Sequence, residues 1–450
     1  MNTPEKKMPT MRPYFTAAAA FADGGDSPRA FLERCLESLA AFEPEVGAFV
    51  VLDLDAARAA ADDSTTRWRE GRQVSPLDGM PVGVKDIIET ADMPTQNGSP
   101  LFEGFRSGRD AASVAALREA GAVVVGKTVT TEFAATEPRG TRNPFDTART
   151  PGGSSSGSAA AVAMGAISAG LGTQVLGSIL RPASFCGCFG FKPTVGAINR
   201  GGSYDGLSQS AHGPIAASLP EAWRLAWEIA QRAGGDPGFQ GLHGSAEAPA
   251  AVMPQRLALM ETDGWETATG GARAALVEAV ARLRDLGVAV ATRADDGDVD
   301  AAETAIHGAK DLSTAINTWE SRWPLNTYRA RAAEKLSRHM LERSLEAEHM
   351  TLDGYRHDLE RRDAARATWH RLAARFDACI TLAAPGAAPV GLGSTGDAVF
   401  NAPASMLGVP ALSLPVLGDQ GMPLGLQLAG FAHRDAALFA TAAWVVEMTT

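Results

Sequence analysis

Residues 150–164 read TPGGSSSGSAAAVAM, and residues 170–194 read GLGTQVLGSILRPASFCGCFGFKPT. Both stretches place small hydroxyl residues in glycine-rich turns, and the first runs directly into an alanine-rich helical pattern. Ser178 lies in a Gly-Ser turn 24 positions after Ser154. An enzyme that transfers acyl groups needs a nucleophile, a base and an oxyanion hole. The two stretches can supply a nucleophilic hydroxyl and the backbone N–H groups of such a hole.

The surrounding sequence alternates between strand and helix patterns. The apolar run Met80–Ile88 predicts a buried strand that carries one lysine, Lys85. Ser27 followed by Pro28 is a helix-start signal. We predict helices over 27–40, 55–70, 111–120, 159–164 and 272–286, and strands over 80–88, 122–125, 256–260, 378–382, 411–414 and 424–428. This alternation predicts an α/β fold.

Residues 150–164, considered by themselves, allow three interpretations. A phosphate-binding P-loop is disfavoured, because it needs a lysine after its second glycine, where this sequence has Ser158. The same stretch matches G-x-S-x-G, which would make Ser155 an α/β-hydrolase nucleophile with a histidine such as His433 as its partner. The third interpretation is a structural turn. Helix capping and membership of a hydrogen-bond network are the roles that we expect for Ser155, Ser156 and Ser158.

Several blocks match one protein family in order and in spacing. Residues 81–86 read PVGVKD and match a lysine block, PVxxKD. Residues 151–159 match a Gly/Ser block, and residues 172–194 match, with departures, the nucleophile block GTxxGGSxRxPAxxCGxxGxKPT. Further matches lie at 126–128, 132–133, 143–146, 400–403 and 408–415. The sequence therefore resembles the amidase signature hydrolases over nearly its whole length, except the middle.

The resemblance implies the amidase signature fold, a mixed central β-sheet covered by helices on both faces (α/β/α), with a helical insertion. The insertion fits a change of texture after about residue 218, where a Gly/Pro-rich linker precedes a highly charged helical region. Four segments are expected. They are N-terminal helices packing on the core (1–70), a catalytic core (71–217), an α/β and helical insertion that caps the pocket (218–375) and the C-terminal part of the core (376–450).

The resemblance also implies roles for individual residues. Ser178 would be the nucleophile, Ser154 a bridging serine held in a cis peptide, and Lys85 the base. The backbone N–H groups expected to form the oxyanion hole are those of Val175, Leu176, Gly177 and Ser178.

The chemistry of this triad depends on an uncharged lysine. An ordinary lysine has a pKa near 10.4 and is almost wholly charged at neutral pH, whereas burial disfavours the charged form. A neutral Lys85 could draw a proton from Ser154, which draws one from Ser178, and the relay run backwards could protonate the departing nitrogen. Taken alone, Lys85 could instead be a strand-end lysine paired with Asp86. Lys127, the rival lysine, also matches the family pattern, where it is not the base.

Three positions depart from the family pattern. Leu176 replaces the first glycine of the usual Gly-Gly pair before the nucleophile, and Gln174 stands where an aspartate is common. Leucine is bulky and disfavours positive φ, so Leu176 either shapes the pocket or weakens the oxyanion hole. Arg181 comes one place later than the family arginine, and this spacing differs from the tRNA-dependent amidotransferase subunits. A free-standing hydrolase is therefore favoured.

The expected function is hydrolysis of amide C–N bonds through an acyl-enzyme, with carbamates (urethanes) and esters as further candidate substrates. Apolar residues at 176, 179 and 180, with Trp319 and Trp323 of the insertion, favour a hydrophobic or aromatic substrate. Two alternatives are a catalytically weak scaffold or binding subunit of the same fold, and a serine esterase that uses Ser155.

Composition narrows the partners. The chain has 41 Lys plus Arg against 52 Asp plus Glu, a net charge of −11, with no basic cluster for a phosphate backbone, so nucleic acid is not expected. Four cysteines without a CxxC pair predict neither a disulfide framework nor a metal site, although Cys186 and Cys188 are close in sequence. No cofactor is expected. With no signal peptide or membrane-spanning run, we predict a cytoplasmic monomer or homodimer that acts on a small-molecule amide or carbamate.

Overall fold

The computed structural model describes residues 8–449, whose centre is a mixed sheet of 11 strands flanked by helices. The first seven residues of the predicted N-terminal segment, and residue 450, lie outside the described residues. The strands are β1 (Phe49–Leu52), β2 (Pro81–Lys85), β3 (Val123–Thr128), β4 (Ala169–Gln174), β5 (Phe189–Lys192), β6 (Ala211–Ala216), β7 (Arg256–Leu259), β8 (Ala289–Ala291), β9 (Ala378–Leu382), β10 (Ala411–Asp419) and β11 (Met422–Ala429).

The helices are α1 (Tyr14–Ala18), α2 (Pro28–Val46), α3 (Leu54–Arg69), α4 (Ala112–Glu119), α5 (Ser156–Ala163), α6 (Leu180–Phe185), α7 (Leu219–Ala233), α8 (Gly270–Asp285), α9 (Gly297–Ile306), α10 (Ala309–Glu320), α11 (Arg322–Ala332), α12 (Arg338–His349), α13 (Leu352–Leu372), α14 (Ala402–Leu407) and α15 (Asp435–Thr449). Three short 3₁₀ turns lie at Pro100–Phe102, Glu132–Ala134 and Ala333–Lys335. Within residues 8–449, no helix combines the length and the apolar character needed to cross a bilayer.

The strand order explains where the candidate site residues meet. The order is β1-β3-β2-β4-β6-β5-β10-β11-β9-β7-β8, and β2 runs parallel to both β3 and β4. All five residues of β2 are buried, which accounts for the apolar run in its sequence. Because parallel strands end at the same edge of a sheet, Lys85 at the end of β2 lies beside the end of β4.

Many predicted elements are confirmed with small shifts in their bounds. The Ser27 side chain caps α2 by accepting from the Ala30 N–H, as its helix-start signal indicates. Strand β9 has the predicted bounds, whereas β10 and β11 are longer than predicted. Strand β4 was not predicted, because its sequence AGLGTQ reads as a glycine-rich loop, and neither was its antiparallel neighbour β6.

Helix α5 is buried along its whole length, which holds the preceding serine-rich turn inside the protein. Gly157 makes this possible, because a Cβ atom at that position would lie 2.2 Å from Ala48 O and 2.3 Å from Val129 N. Only glycine allows the helix to approach these two backbone segments so closely.

The region predicted as an insertion contributes both strands and helices. Strands β7 and β8 extend the central sheet beyond β9 in parallel, and helices α9 to α13 follow them in the chain. Helices α10 and α13 pack against α14 through an apolar cluster that includes Ile316, Trp369 and Met406. The four-segment division stays a prediction.

Candidate active site

Lys85 lies at the centre of a buried hydrogen-bond cluster. Its side chain is 0% exposed, and its Nζ lies 2.7 Å from Ser154 Oγ, 2.8 Å from Thr173 Oγ1 and 3.4 Å from Thr173 O. Burial lowers the pKa of Lys85 to about 7, against a smaller opposing effect of the Asp205 carboxylate. A neutral amine has two N–H groups and one lone pair. The two Thr173 oxygens can accept the two N–H bonds, which leaves the lone pair for the Ser154 hydroxyl.

Thr173 is a site residue that was not predicted from the sequence. It lies in β4 directly beside the end of β2, and both its hydroxyl and its carbonyl face Lys85 Nζ. Its signal was present, because Thr173 is the threonine of the Gly-Thr pair that opens the nucleophile block.

Asp86 forms an ion pair with Lys127 rather than with Lys85. Lys127 Nζ lies 3.2 Å from Asp86 Oδ1 and also donates to Thr95 Oγ1 at 2.7 Å, and both charged side chains are fully buried. Burial raises the pKa of Asp86 to about 6 and lowers the pKa of Lys127, although each partner opposes the shift of the other. Lys127 is therefore held by Asp86, away from the serines.

The serine-rich turn is fixed by its backbone and by its other hydroxyl groups. The Gly153–Ser154 peptide bond is cis, and Ser154 O accepts from Thr131 N at 3.3 Å. The Ser155 hydroxyl donates to Thr173 O at 3.2 Å and accepts from Thr173 N at 3.3 Å. A hydroxyl bound twice to buried backbone is a structural group, which argues against Ser155 as a nucleophile.

The expected capping role of these serines is wrong, and the network role is confirmed. Helix α5 begins at Ser156, and its N-cap residue Ser155 makes no side-chain capping bond. Ser156 Oγ donates instead to Val129 O at 3.3 Å, and Ser158 Oγ lies 2.7 Å from Thr128 Oγ1. The hydroxyls tie α5 to β3.

Ser178 lies at the start of the next helix, beside the serine-rich turn. It is 6% exposed, and its carbonyl accepts from the Ser155 N–H at 3.3 Å. In residues 8–449, no hydrogen bond joins the Ser154 and Ser178 hydroxyls. The structure therefore brings Lys85 and Ser154 into direct contact and places Ser178 next to the residue that follows Ser154.

The loop from Val175 to Ser178 has its carbonyls bound and its N–H groups free. The bound pairs are Leu176 O with Ser405 Oγ at 2.7 Å, Gly177 O with Arg181 N at 3.0 Å, and Ser178 O with Ser155 N at 3.3 Å. In a trans peptide the C=O and the following N–H point in opposite directions. The Gly177 and Ser178 N–H groups therefore point away from these partners. Within the described residues, none of the four N–H groups of the loop has an acceptor.

Gln174 organises this loop, although it replaces the usual aspartate. Its Oε1 accepts from Ile179 N at 2.9 Å and from Leu180 N at 3.0 Å. Its Nε2 donates to Ser405 Oγ at 3.0 Å, and Ser405 in turn holds the Leu176 carbonyl. An aspartate could not donate the last bond, so the neutral amide suits this arrangement.

Leu176 fits the loop without backbone strain. Among the described residues, six non-glycine residues have positive φ, and Leu176 is not one of them. Its side chain is half-buried and belongs to none of the hydrophobic clusters. Gly177 is the residue that must be small, because a Cβ there would lie 2.6 Å from Asn401 Oδ1. This geometry leaves Leu176 free to shape the pocket.

Arg181, one place later than the family arginine, is fully buried beside the cis peptide. Its Nη2 donates to Gly153 O at 2.7 Å, and its Nε donates to Thr395 O at 2.7 Å. Burial lowers the pKa of Arg181 to about 10, so it keeps its charge at neutral pH. Arg181 therefore connects the helix that follows Ser178, the Ser154 turn and the loop that carries Thr395.

The cysteines are buried thiols without a metal-site arrangement. Cys186 Sγ lies 3.5 Å from Pro151 O and Cys188 Sγ 3.5 Å from Ala159 O, and burial raises the pKa of both thiols. Across residues 8–449, no group of three or more His, Cys, Asp or Glu side chains could hold a metal ion.

The expected apolar pocket is corrected at two positions. Ile179 and Leu180 are 0% exposed and pack into hydrophobic clusters of the core, so they do not line a pocket. Trp319 and Trp323 do line an open cleft of about 680 Å³.

Comparisons with known proteins identify the family. The family described as Amidase matches residues 30–439. A subunit of the glutamyl-tRNA(Gln) amidotransferase from Chloroflexus aggregans is 43% identical over 229 residues, which cover 49% of this chain and 45% of that protein. The chain thus spans about half the length of the curated relatives it matches.

Solved structures match over almost the whole chain. A crystal structure of an amidase superposes with a TM-score of 0.83 and 28% identity, covering 98% of this chain and 100% of that one. The peptide amidase from Stenotrophomonas maltophilia gives a TM-score of 0.76 and 26% identity, covering 96% and 95%. The family match and the full-length structural likeness lead to one conclusion: the chain belongs to the Amidase family and has the amidase signature fold.

Proposed function

We propose that the protein hydrolyses C–N bonds of amides through Lys85, Ser154 and Ser178, with an acyl-enzyme on Ser178. The observation that carries this proposal is the 2.7 Å contact between Lys85 Nζ and Ser154 Oγ in a fully buried site. Within residues 8–449 no carboxylate forms an ion pair with Lys85, so burial can keep the amine neutral near pH 7. A neutral amine is a base, whereas an ammonium ion is not.

The reaction begins with two proton transfers. The lone pair of Lys85 takes the Ser154 proton as Ser154 takes the Ser178 proton, and Ser178 Oγ forms a bond to the substrate carbonyl carbon. The carbonyl π electrons move to oxygen. When the tetrahedral intermediate collapses, the C–N bond breaks and the nitrogen takes a proton from Ser154, which is reprotonated by Lys85. Water then attacks the ester through the same relay and releases the acid.

The oxyanion is assigned to the N–H groups of Val175, Leu176, Gly177 and Ser178. The bound carbonyls of the loop support Gly177 and Ser178 most directly, because they orient these two N–H groups away from the protein partners. Loss of one oxyanion donor typically costs about 10²–10³ in kcat.

The substrate proposed is a hydrophobic or aromatic amide, with carbamates as a second class and esters as a third. All three present a carbonyl carbon that bears a leaving group. A half-buried Leu176 beside the loop N–H groups favours an apolar substituent near the reacting carbon.

A free-standing hydrolase is favoured over an amidotransferase component. The relatives with that name match about half of their length, whereas the amidase structures match nearly all of theirs. Arg181 also departs from the spacing of the amidotransferase chains. A monomeric or homodimeric state, a cytoplasmic location and a capping role for the insertion stay predictions, and so does the alternative of a catalytically weak scaffold protein.

Release of p-nitroaniline from a panel of anilides and aryl carbamates tests the proposal. Wild type should release it from at least one anilide, and Lys85→Ala should lower kcat by at least about 10³, since both proton transfers depend on the amine. Lys127→Ala serves as a weaker control, because it removes a buried lysine that lies outside the relay. Equal rates for wild type and Lys85→Ala would contradict the proposal.

A further inference from the structure

The helical insertion and a loop of the core form an aromatic cleft. The cleft has a volume of about 680 Å³, within the usual range for small-molecule sites. Trp319 and Tyr355 stack along one wall, with ring centroids 5.5 Å apart and an interplanar angle of 18°. Trp323 also lines the cleft and is 72% exposed. An exposed tryptophan beside two stacked rings offers flat apolar surfaces to a ligand.

The cleft continues toward Lys85 along one short loop. Gly206 and Ser208 line the cleft, and Asp205, directly before them, is the carboxylate whose charge acts on Lys85. Tyr204 precedes Asp205 and lies edge-on to Phe102 at 5.3 Å. Residues 204–208 therefore connect the cleft to the surroundings of Lys85.

A second connection runs along α11. Asn326 lines the cleft, and Tyr328, two residues later, stacks on Phe133 at 5.2 Å and 17°. Phe133 comes two residues after Thr131, whose N–H binds Ser154 O. Three of the four tyrosines in the chain, at 204, 328 and 355, thus line the cleft or lie on one of these two connections. This concentration of rings is not expected from an aromatic content of 6%.

The polar groups of the cleft favour a neutral ligand. Glu320 accepts from Ser208 N at 2.7 Å, from the Ser208 hydroxyl and from Tyr355 OH at 2.8 Å. Burial, with Glu320 as a smaller cause, raises the pKa of Tyr355 to about 12, so the phenol keeps the proton it donates. The Arg322 guanidinium lies 5.5 Å over the Trp319 ring. One anion, Glu320, and one cation, Arg322, leave the lining without net charge.

We propose that this cleft, formed by Trp319, Trp323 and Tyr355, binds a neutral aromatic ring of the amide substrate. The inference rests on the proposed function and specifies its substrate class as aryl amides. Stacking and edge contacts to the three rings distinguish an aromatic ring from a saturated ring of the same size.

Binding to the full-length Ser178→Ala protein tests this inference without turnover. Acetanilide and N-cyclohexylacetamide, which share the amide and the ring size, would be titrated by ligand-observed NMR. Acetanilide should bind at least about 5-fold more tightly. Trp319→Leu and Trp323→Leu, each added to Ser178→Ala, should weaken acetanilide about 5- to 10-fold and change N-cyclohexylacetamide less than about 2-fold.

Phe239→Leu is the matched control, because Phe239 is an exposed aromatic residue, 49% exposed, outside the cleft. Its acetanilide affinity should stay unchanged. Trp323→Leu also guards against misfolding, since this side chain is mostly solvent-exposed. Equal binding of the two ligands, or unchanged acetanilide affinity in Trp323→Leu, would overturn the inference. Because Ser178→Ala is inactive under the proposed mechanism, retained selective binding would support the cleft even if another residue proved to be the nucleophile.

Discussion

Lys85 Nζ lies 2.7 Å from Ser154 Oγ, although 69 positions separate the two residues in the chain. The parallel pairing of β2 with β4 brings Lys85 to the edge where Thr173 lies, and the buried helix α5 holds the Ser154 turn against the same edge. The result is a hydroxyl in contact with an amine whose pKa is about 7 because it is buried. Four predictions test what this contact does.

The pH dependence of hydrolysis should report Lys85. The active form is the neutral amine, so kcat/KM for an uncharged p-nitroanilide should rise about tenfold per pH unit below pH 7 and level off above it. His212, the fully buried histidine of β6, has a pKa lowered by burial to about 3 and stays neutral over this range. A flat profile between about pH 5.5 and 8, measured under kcat/KM conditions, would contradict the assignment of Lys85 as the base.

Thr173→Val should lower kcat about tenfold while leaving the fold intact. The substitution keeps the shape of the side chain but removes the Oγ1 acceptor 2.8 Å from Lys85 Nζ, so the lone pair of Lys85 is less well aimed at Ser154. Thr381→Val is the matched control, because Thr381 is also a buried strand threonine and its hydroxyl has no partner among the described residues. Equal kcat values for the two variants would show that Thr173 does not position the lysine.

Arg181→Lys should lower kcat by about 10- to 100-fold, with a smaller change in KM. A lysine cannot hold Gly153 O and Thr395 O at the same time in the geometry of a guanidinium, so the Ser154 turn loses one of its supports. The same change at Arg338, whose side chain is 92% exposed, should leave the kinetics unchanged. A thermal melt of each variant separates misplacement of the turn from general unfolding. Wild-type kcat in a folded Arg181→Lys protein would refute this positioning role.

Leu176→Gly should retain hydrolysis and change the choice of substrate. The loop carbonyl is held by Ser405 and the loop backbone needs no positive φ at residue 176, so glycine is tolerated there. Removal of the half-buried side chain enlarges the space beside the reacting carbonyl, which should improve kcat/KM for bulkier acyl groups relative to acetyl. Loss of all activity in a folded variant would reject the pocket-shaping role.

Most of the sheet and helix pattern was predictable from the sequence, and the failures have physical reasons. Strand β9 was predictable because an apolar run is bounded by Pro and Gly punctuation. Strand β4 was missed because glycines at 170 and 172 weaken the strand signal. They are small for a tertiary reason, since a Cβ at Gly172 would lie 2.8 Å from Ser155 Oγ. Contacts made by distant segments do not show in local patterns.

The same limit applies to the site. The contact of Lys85 with Ser154 was predictable from the matched blocks, whereas Arg181 gave no local sign of its partners, which lie 28 and 214 positions away. The pairing of Asp86 with its sequence neighbour failed because successive strand residues point to opposite faces, and Lys127 of the adjacent strand meets Asp86 instead. Capping by Ser155 failed because Thr173 binds its hydroxyl.

Covalent labelling tests the central claim most directly. Wild type would be treated with a fluorophosphonate and digested, and the modified peptide would be mapped by mass spectrometry, with Ser178→Ala and Ser155→Ala treated in parallel. We predict a single adduct on Ser178, absent from Ser178→Ala, retained in Ser155→Ala and formed much more slowly in Lys85→Ala. An adduct on Ser155, or no adduct in the folded wild-type protein, would contradict the account.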